Sequence, residues 1–214
     1  MAGALALGLT LGCRAPAADV ADAAWWAALA QPPPASSAWP LAALVGGGPE
    51  LAGGHGGWRL ERGAEDAAEA VCHAAGGAPW RAVPGVAAAD DVDVRVRART
   101  EPSAGERYGV AVHLQDADNY YLARVDTRNN NVRLYRRQGG TLSLLAARDL
   151  GVSVGQWHDL AVRAHGARLA VALDGEPLLQ ATDDALSGGA IGLWADAQAR
   201  ACFAGLWLTS SGAP

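Results

Sequence analysis

Two adjoining stretches of this chain concentrate side chains able to hold or transform a polar ligand. From Tyr108 to Gln115, apolar Tyr108, Val110, Val112 and Leu114 alternate with Gly109, Ala111, His113 and Gln115. In a strand that puts His113 and Gln115 together, opposite the apolar set. His113 is the candidate general base. The following segments supply Arg124, then Asn131, Arg133 and Tyr135, although Arg124 shares its parity with Tyr120 and Leu122, which puts its orientation in conflict with the rest. Amide and guanidinium groups hydrogen-bond to hydroxyls, and rings stack on the apolar face of a sugar, so the six residues together predict a saccharide surface. The competing reading is an ordinary solvent-facing sheet.

Asp116, Asp118 and Asn119 bring three oxygen-bearing side chains to one turn. Calcium takes about six to eight oxygens, so Asx capping of the turn is the default reading and calcium the alternative; no other cofactor is expected. The remaining acidic groupings, Asp91 with Asp93 and Glu65, Asp66 and Glu69, have strand-edge and loop roles as their plain explanation. Neither a Cys-x-x-Cys pair nor a His-x-x-x-His spacing is present, so zinc and thioredoxin-type chemistry have no support. The chain has no lysine, which excludes a Schiff-base lysine, a P-loop lysine and a lysine base.

The elements that must position these residues read as strands. Val92, Val94, Val96 and Ala98 alternate with Asp93, Arg95, Arg97 and Arg99, one half-buried strand. Further strands are predicted at 120–126, 131–137, 142–147, 156–164, 168–173, 178–181, 189–194 and 202–208, separated by turn residues, with Asp174-Gly175 as a two-residue hairpin turn. That spacing, without helical periodicity after Ala75, predicts an all-β sandwich over residues 55–210. Trp157, Trp194 and Trp207 are expected in the core, and Trp58 and Trp80 in more open positions.

Bulk properties agree. The 214 residues suit one domain with an appendage, half of them are apolar, and 22 acids outnumber 17 bases without a basic face, which argues against nucleic acid. Residues 1–13 end in Leu-Thr-Leu-Gly-Cys13 and resemble a truncated lipoprotein signal, which predicts export to the cell envelope or periplasm with Cys13 as a lipidation candidate. Residues 14–54, with Pro32-Pro33-Pro34 and Gly46-Gly47-Gly48, are expected to be a low-complexity tether. Within them a short helix over 19–30, capped by Asp19, would dock Trp25 and Trp26 on the domain.

Four segments stand together in order: Tyr108 to Tyr121, Asn130-Asn-Val-Arg-Leu-Tyr135, Gly155-Gln-Trp-His158 leading to Leu173-Asp-Gly175, and Gly189-Ala-Ile-Gly-Leu-Trp194. Over about 150 residues the chain resembles the bacterial 3-keto-disaccharide hydrolase or family-16-like domains of the concanavalin A-like lectin/glucanase superfamily. The resemblance implies an antiparallel jelly roll of two sheets in an exported protein that binds or acts on carbohydrate. Because terminal strands commonly lie side by side in such sandwiches, it also allows a Cys72–Cys202 disulfide; two free buried cysteines are the alternative. The Glu-x-Asp-x-Glu strand of family-16 glucanases is missing. A glycan-binding module is therefore the leading expectation. A glycoside hydrolase or lyase using His113 and a laminin-G-like protein-binding module are the rivals.

Overall fold

The computed structural model describes residues 20–34, 37–45, 57–63, 67–77, 79–83, 90–102 and 106–211. In chain order the elements are α1 (Val20–Ala30), β1 (Ala38–Trp39), α2 (Ala42–Val45), β2 (Trp58–Arg62), β3 (Glu69–His73), β4 (Trp80–Ala82) and β5 (Asp91–Thr100). There follow β6 (Arg107–Asp116), β7 (Asn119–Asp126), β8 (Asn131–Gln138), β9 (Thr141–Asp149) and β10 (His158–His165). The last are β11 (Arg168–Leu173), β12 (Glu176–Thr182), β13 (Ala190–Ala195) and β14 (Ala201–Ser211).

Two antiparallel sheets result. The larger runs β12-β11-β10-β5-β14-β3-β2, with β1 added against β14; the smaller runs β4-β13-β6-β7-β8-β9. The period-two pattern of β5 is realised residue by residue, with every even-numbered residue buried and every odd one partly exposed. Val94, Val96, Leu160, Val162, Phe203 and their neighbours meet Tyr108, Val110, Tyr121, Leu134 and Leu193 of the opposite sheet in one core. Asp174 and Gly175 both have positive φ, 53° and 81°, as a type I′ turn requires of its central pair.

The stretch read as a tether is partly built into the fold. Trp39 pairs with Leu206 across β1 and β14, and Leu41 and Leu44 enter the main core. Helix α1 lies on the outer face of the larger sheet, where alanines at 161, 170 and 172 leave a shallow bed for Leu29, Trp25 and Trp26. Arg163 donates to the Trp25 carbonyl at 2.7 Å, and the guanidinium groups of Arg163 and Arg168 lie 4.9 and 4.4 Å from the Trp25 ring. Asp19, Cys13 and the rest of 1–19, with 35–36 and 46–54 of the tether, lie outside the described residues. No helix among the described residues is long and apolar enough to cross a membrane.

Four tryptophan expectations are corrected. Trp58 is buried in the core beside Phe203 and His73, because β2 folds back onto β3. Trp194 points away from the core, since Leu193 takes the inward position on β13. Trp157 lies outside the main core, 5.4 and 4.9 Å from the guanidinium groups of Arg97 and Arg99. Trp207, which follows a bulge in β14, is half-buried and lines the cavity beneath α1. Of the two cysteine readings the bonded one holds: Cys72 faces Cys202 across the β3–β14 pair and the two are joined.

Candidate functional site

The smaller sheet turns one face to the core, and among the described residues no layer of strands covers the other. Cross-strand partners share a face, so the register writes out this outer surface row by row. One row reads Trp80, Trp194, Gly109, Arg124, Arg133 and Ala147. The next reads Ala82, Gly192, Ala111, Leu122, Tyr135 and Leu144. Tyr120, Arg137 and Leu142 begin a third row.

These rows make an aromatic floor with a polar border. The Trp80 ring stands 4.5 Å from Tyr120 and 6.3 Å from Trp194, between centroids. It can approach the sheet closely because position 192 is glycine; a Cβ there would come within 3.3 Å of the Trp80 ring and 2.8 Å of Leu114. Tyr135 completes the floor, with the Arg124 guanidinium 4.9 Å from its ring centre. A cleft of about 380 Å³ follows these rings from Pro79 to Leu142. Leu142 and Leu144 are the exposed large aliphatic side chains of the described residues, at 47% and 52%.

The border is charged and nearly balanced. Arg137 donates to Asp118 Oδ1 at 2.8 and 3.2 Å, and that bond holds the guanidinium above its ordinary pKa. Burial pushes the Tyr120 hydroxyl upward and the Arg124 guanidinium downward. Hydrogen bonding to Tyr135 raises Arg133. At the far end the carboxylate of Asp126, 1% exposed, accepts from Arg107 at 2.8 Å and from the Asn129 backbone and side chain.

Four of the six sequence candidates share this face: Arg124, Asn131, Arg133 and Tyr135. The parity conflict at Arg124 dissolves because Tyr120 and Leu122 are themselves outward, while Tyr121, Ala123 and Val125 fill the core. His113 is a correction. Three residues of β6, His113, Leu114 and Gln115, lie opposite the single residue Tyr120 of β7, and this bulge with His113 at φ 49° exchanges the faces. Leu114 turns outward to pack by Tyr120. His113 turns in, 1% exposed, with Nδ1 3.1 Å from the Leu186 carbonyl and Nε2 3.0 Å from that of Asp90. Neither nitrogen is presented to a substrate. Gln115 is exposed beyond the bulge and donates to the Ser187 carbonyl, away from the cleft.

The turn acids serve the turn. Asp116 accepts from the Asp118 backbone and from Asn119 Nδ2, which holds its carboxyl below the usual range, while Asn119 Oδ1 accepts from Gly139. Among the described residues, the one trio of His, Cys, Asp or Glu side chains whose ligand atoms converge is Glu61 with Cys72 and Cys202, whose sulfurs are bonded to each other. Trp80, Tyr120, Arg137, Leu142 and Trp194 were not among the site candidates read from sequence. The available signal was the shared parity of Tyr120, Leu122 and Arg124.

No family model matches the chain. A levanase of Bacillus subtilis (strain 168) is 32% identical over 79 residues, which are 37% of this chain and 12% of the levanase. Among solved structures, the carbohydrate-binding module CBM66 from Bacillus subtilis superposes with a TM-score of 0.59 at 22% identity, over 72% of this chain and 96% of that one. Domain 4 of the extracellular GH43 arabinanase AbnA from Geobacillus stearothermophilus, solved with arabinotriose, gives 0.53 at 13% identity over 77% and 80%. The chain thus has the two-sheet antiparallel jelly roll of the concanavalin A-like type.

Proposed function

We propose that this chain is a glycan-binding module whose ligand lies on the outer face of the smaller sheet. The observation that carries the reading is the cluster of Trp80, Trp194, Tyr120 and Tyr135 along one cleft, on a face that no other sheet of the described residues covers. Rings packed against one another at 58–70° on a rigid sheet offer apolar area to sugar faces at little ordering cost, and the bordering arginines supply the directional bonds. The local likeness to a levanase and the shared fold with CBM66 support it.

Export belongs to the same proposal, with a disulfide that suits an oxidising compartment and Cys13 as the lipid-anchor candidate. The narrower likeness to 3-keto-disaccharide hydrolases would need a base elsewhere, because His113 is committed to backbone carbonyls. Affinity electrophoresis against levan and arabinan tests the binding reading. Retardation in at least one gel is expected, and Trp80→Ala, at a central ring, should weaken it about tenfold or more. Free migration in a broad polysaccharide panel, with capture of a protein from envelope extracts, would replace it by the protein-interaction module.

A further inference from the structure

The rows next to the aromatic floor carry polar atoms that the fold buries and leaves unpaired. The Arg124 side chain is 15% exposed; its Nη2 is 3.8 Å from Asp126 Oδ2, and its Nε has no hydrogen-bond partner. Nε of Arg133, directly across the strand pair, is also without one. So is Oδ1 of Asn131, two cross-strand pairs further along and next on this face, in a residue 2% exposed. Folded proteins pair nearly all such atoms, because a buried polar group without a partner is destabilising. Three stand on successive same-face positions of one open sheet, beside a cleft, where a ligand could pair them.

The kinds of atom left over identify it. Two are donors and one is an acceptor. A hydroxyl both donates and accepts, so neighbouring hydroxyls of one sugar ring match all three; a carboxylate or sulfate only accepts and would leave Asn131 Oδ1 unpaired. Charge points the same way. Arg107 is shared by Asp126 at 2.8 Å and Asp196 at 3.3 Å, Arg137 is matched by Asp118, and Asp149 acts on Arg133. An added anion would find no surplus of positive charge and would lie near Asp126.

We infer that Arg124, Arg133 and Asn131 form the polar anchor of the cleft and that its ligand is an uncharged saccharide with adjacent free hydroxyls. Arg124 is the specificity-determining residue: its planar fork can take two neighbouring oxygens, and it stands beside Asp126 and over the Tyr135 ring with its Nε unpaired among the described residues, so donor capacity is left for them. This rests on the glycan-binding reading and narrows it. Its cost is visible in the fold, where a cation is largely desolvated with its Nε unpaired.

Titration calorimetry of the full chain, Arg124→Leu, Arg124→Lys and Trp80→Ala against levan, arabinan, polygalacturonate and alginate tests it, with a melting curve for each variant. The expected result is binding of a neutral polymer, weakened at least tenfold in both Arg124 variants, while Arg124→Leu melts no lower than the parent. A purely structural arginine would lower the melting temperature instead. The lysine variant keeps the charge without the fork and covers the case in which leucine disturbs folding. Tightest binding to either polyuronate overturns the inference, as does neutral binding that Trp80→Ala abolishes and both Arg124 variants retain; the glycan-binding reading survives both results. Silence from all four polymers overturns the two together.

Discussion

Breaking the Cys72–Cys202 bond should cost a large part of the domain's stability. The cysteines are 130 residues apart, so the bond closes a loop that takes in most of the sandwich. In the chain-entropy treatment a loop of that length removes freedom from the unfolded chain worth about 5 kcal/mol, and native bonds commonly return about 2–4 kcal/mol of such a figure. With a urea dependence of about 2 kcal/mol per M for a domain of this size, reduction should move the unfolding midpoint down by about 1–2 M. Equilibrium urea unfolding with and without reductant measures this. The double variant Cys72→Ala/Cys202→Ala should reproduce most of the loss, because both side chains are buried and alanine leaves little space behind. Thiol counting is independent of stability. In the denatured, unreduced chain neither Cys72 nor Cys202 should react, and after reduction both should. Reaction at Cys72 and Cys202 before reduction, or a stability change under about 0.5 kcal/mol, would refute the reasoning.

Three further perturbations probe how the sheets and the helix are held. Tyr121 donates to Asp183 Oδ1 at 2.6 Å and accepts from the Leu186 backbone at 3.1 Å, so Tyr121→Phe should lose about 1–3 kcal/mol in urea unfolding by stranding both partners. Burial pushes the Asp183 carboxyl upward, but hydrogen bonds from Tyr121, the Ala185 backbone and Arg136 outweigh it and hold the group below the ordinary value. A depressed folded value means its contribution is complete above an unfolded pKa of about 3.9 and is lost as pH falls through the lower folded one. Asp183→Asn should therefore flatten part of the stability decline below about pH 4; an unchanged acid limb would contradict this. Trp25→Ala should cost about 2 kcal/mol and speed protease cleavage within 20–34 while the sandwich stays folded. Equal cleavage rates in parent and variant would show that α1 is not held by its tryptophan.

Much of the scaffold is legible because strand periodicity is local. The ten alternating residues of β5 state which side chains go inward, and Asp174-Gly175 states where β11 turns, since few residue pairs tolerate two positive φ values in succession. The short early strands are harder. β4 is three residues long, and nothing local says that Trp80 will lie against Trp194 and Tyr120, which are far along the chain.

Periodicity also has a limit that decided the site. Alternation in β7 divides Tyr120, Leu122 and Arg124 from Tyr121, Ala123 and Val125, yet both sets carry apolar residues, and only the packing of two sheets tells which is inside. At the end of β6 even the division fails, because the bulge at 113–115 swaps the faces and takes His113 out of the surface that the pattern assigned to it. Sequence alone determined the all-β class, the strand sequence from β5 onward and the neighbourhood that supplies Arg124, Arg133 and Tyr135. Tertiary structure decided that tryptophans from β4 and β13, two paired strands far apart in the chain, join them and that the histidine does not, because which face meets the other sheet, and where a strand slips, depend on contacts between residues distant in the chain.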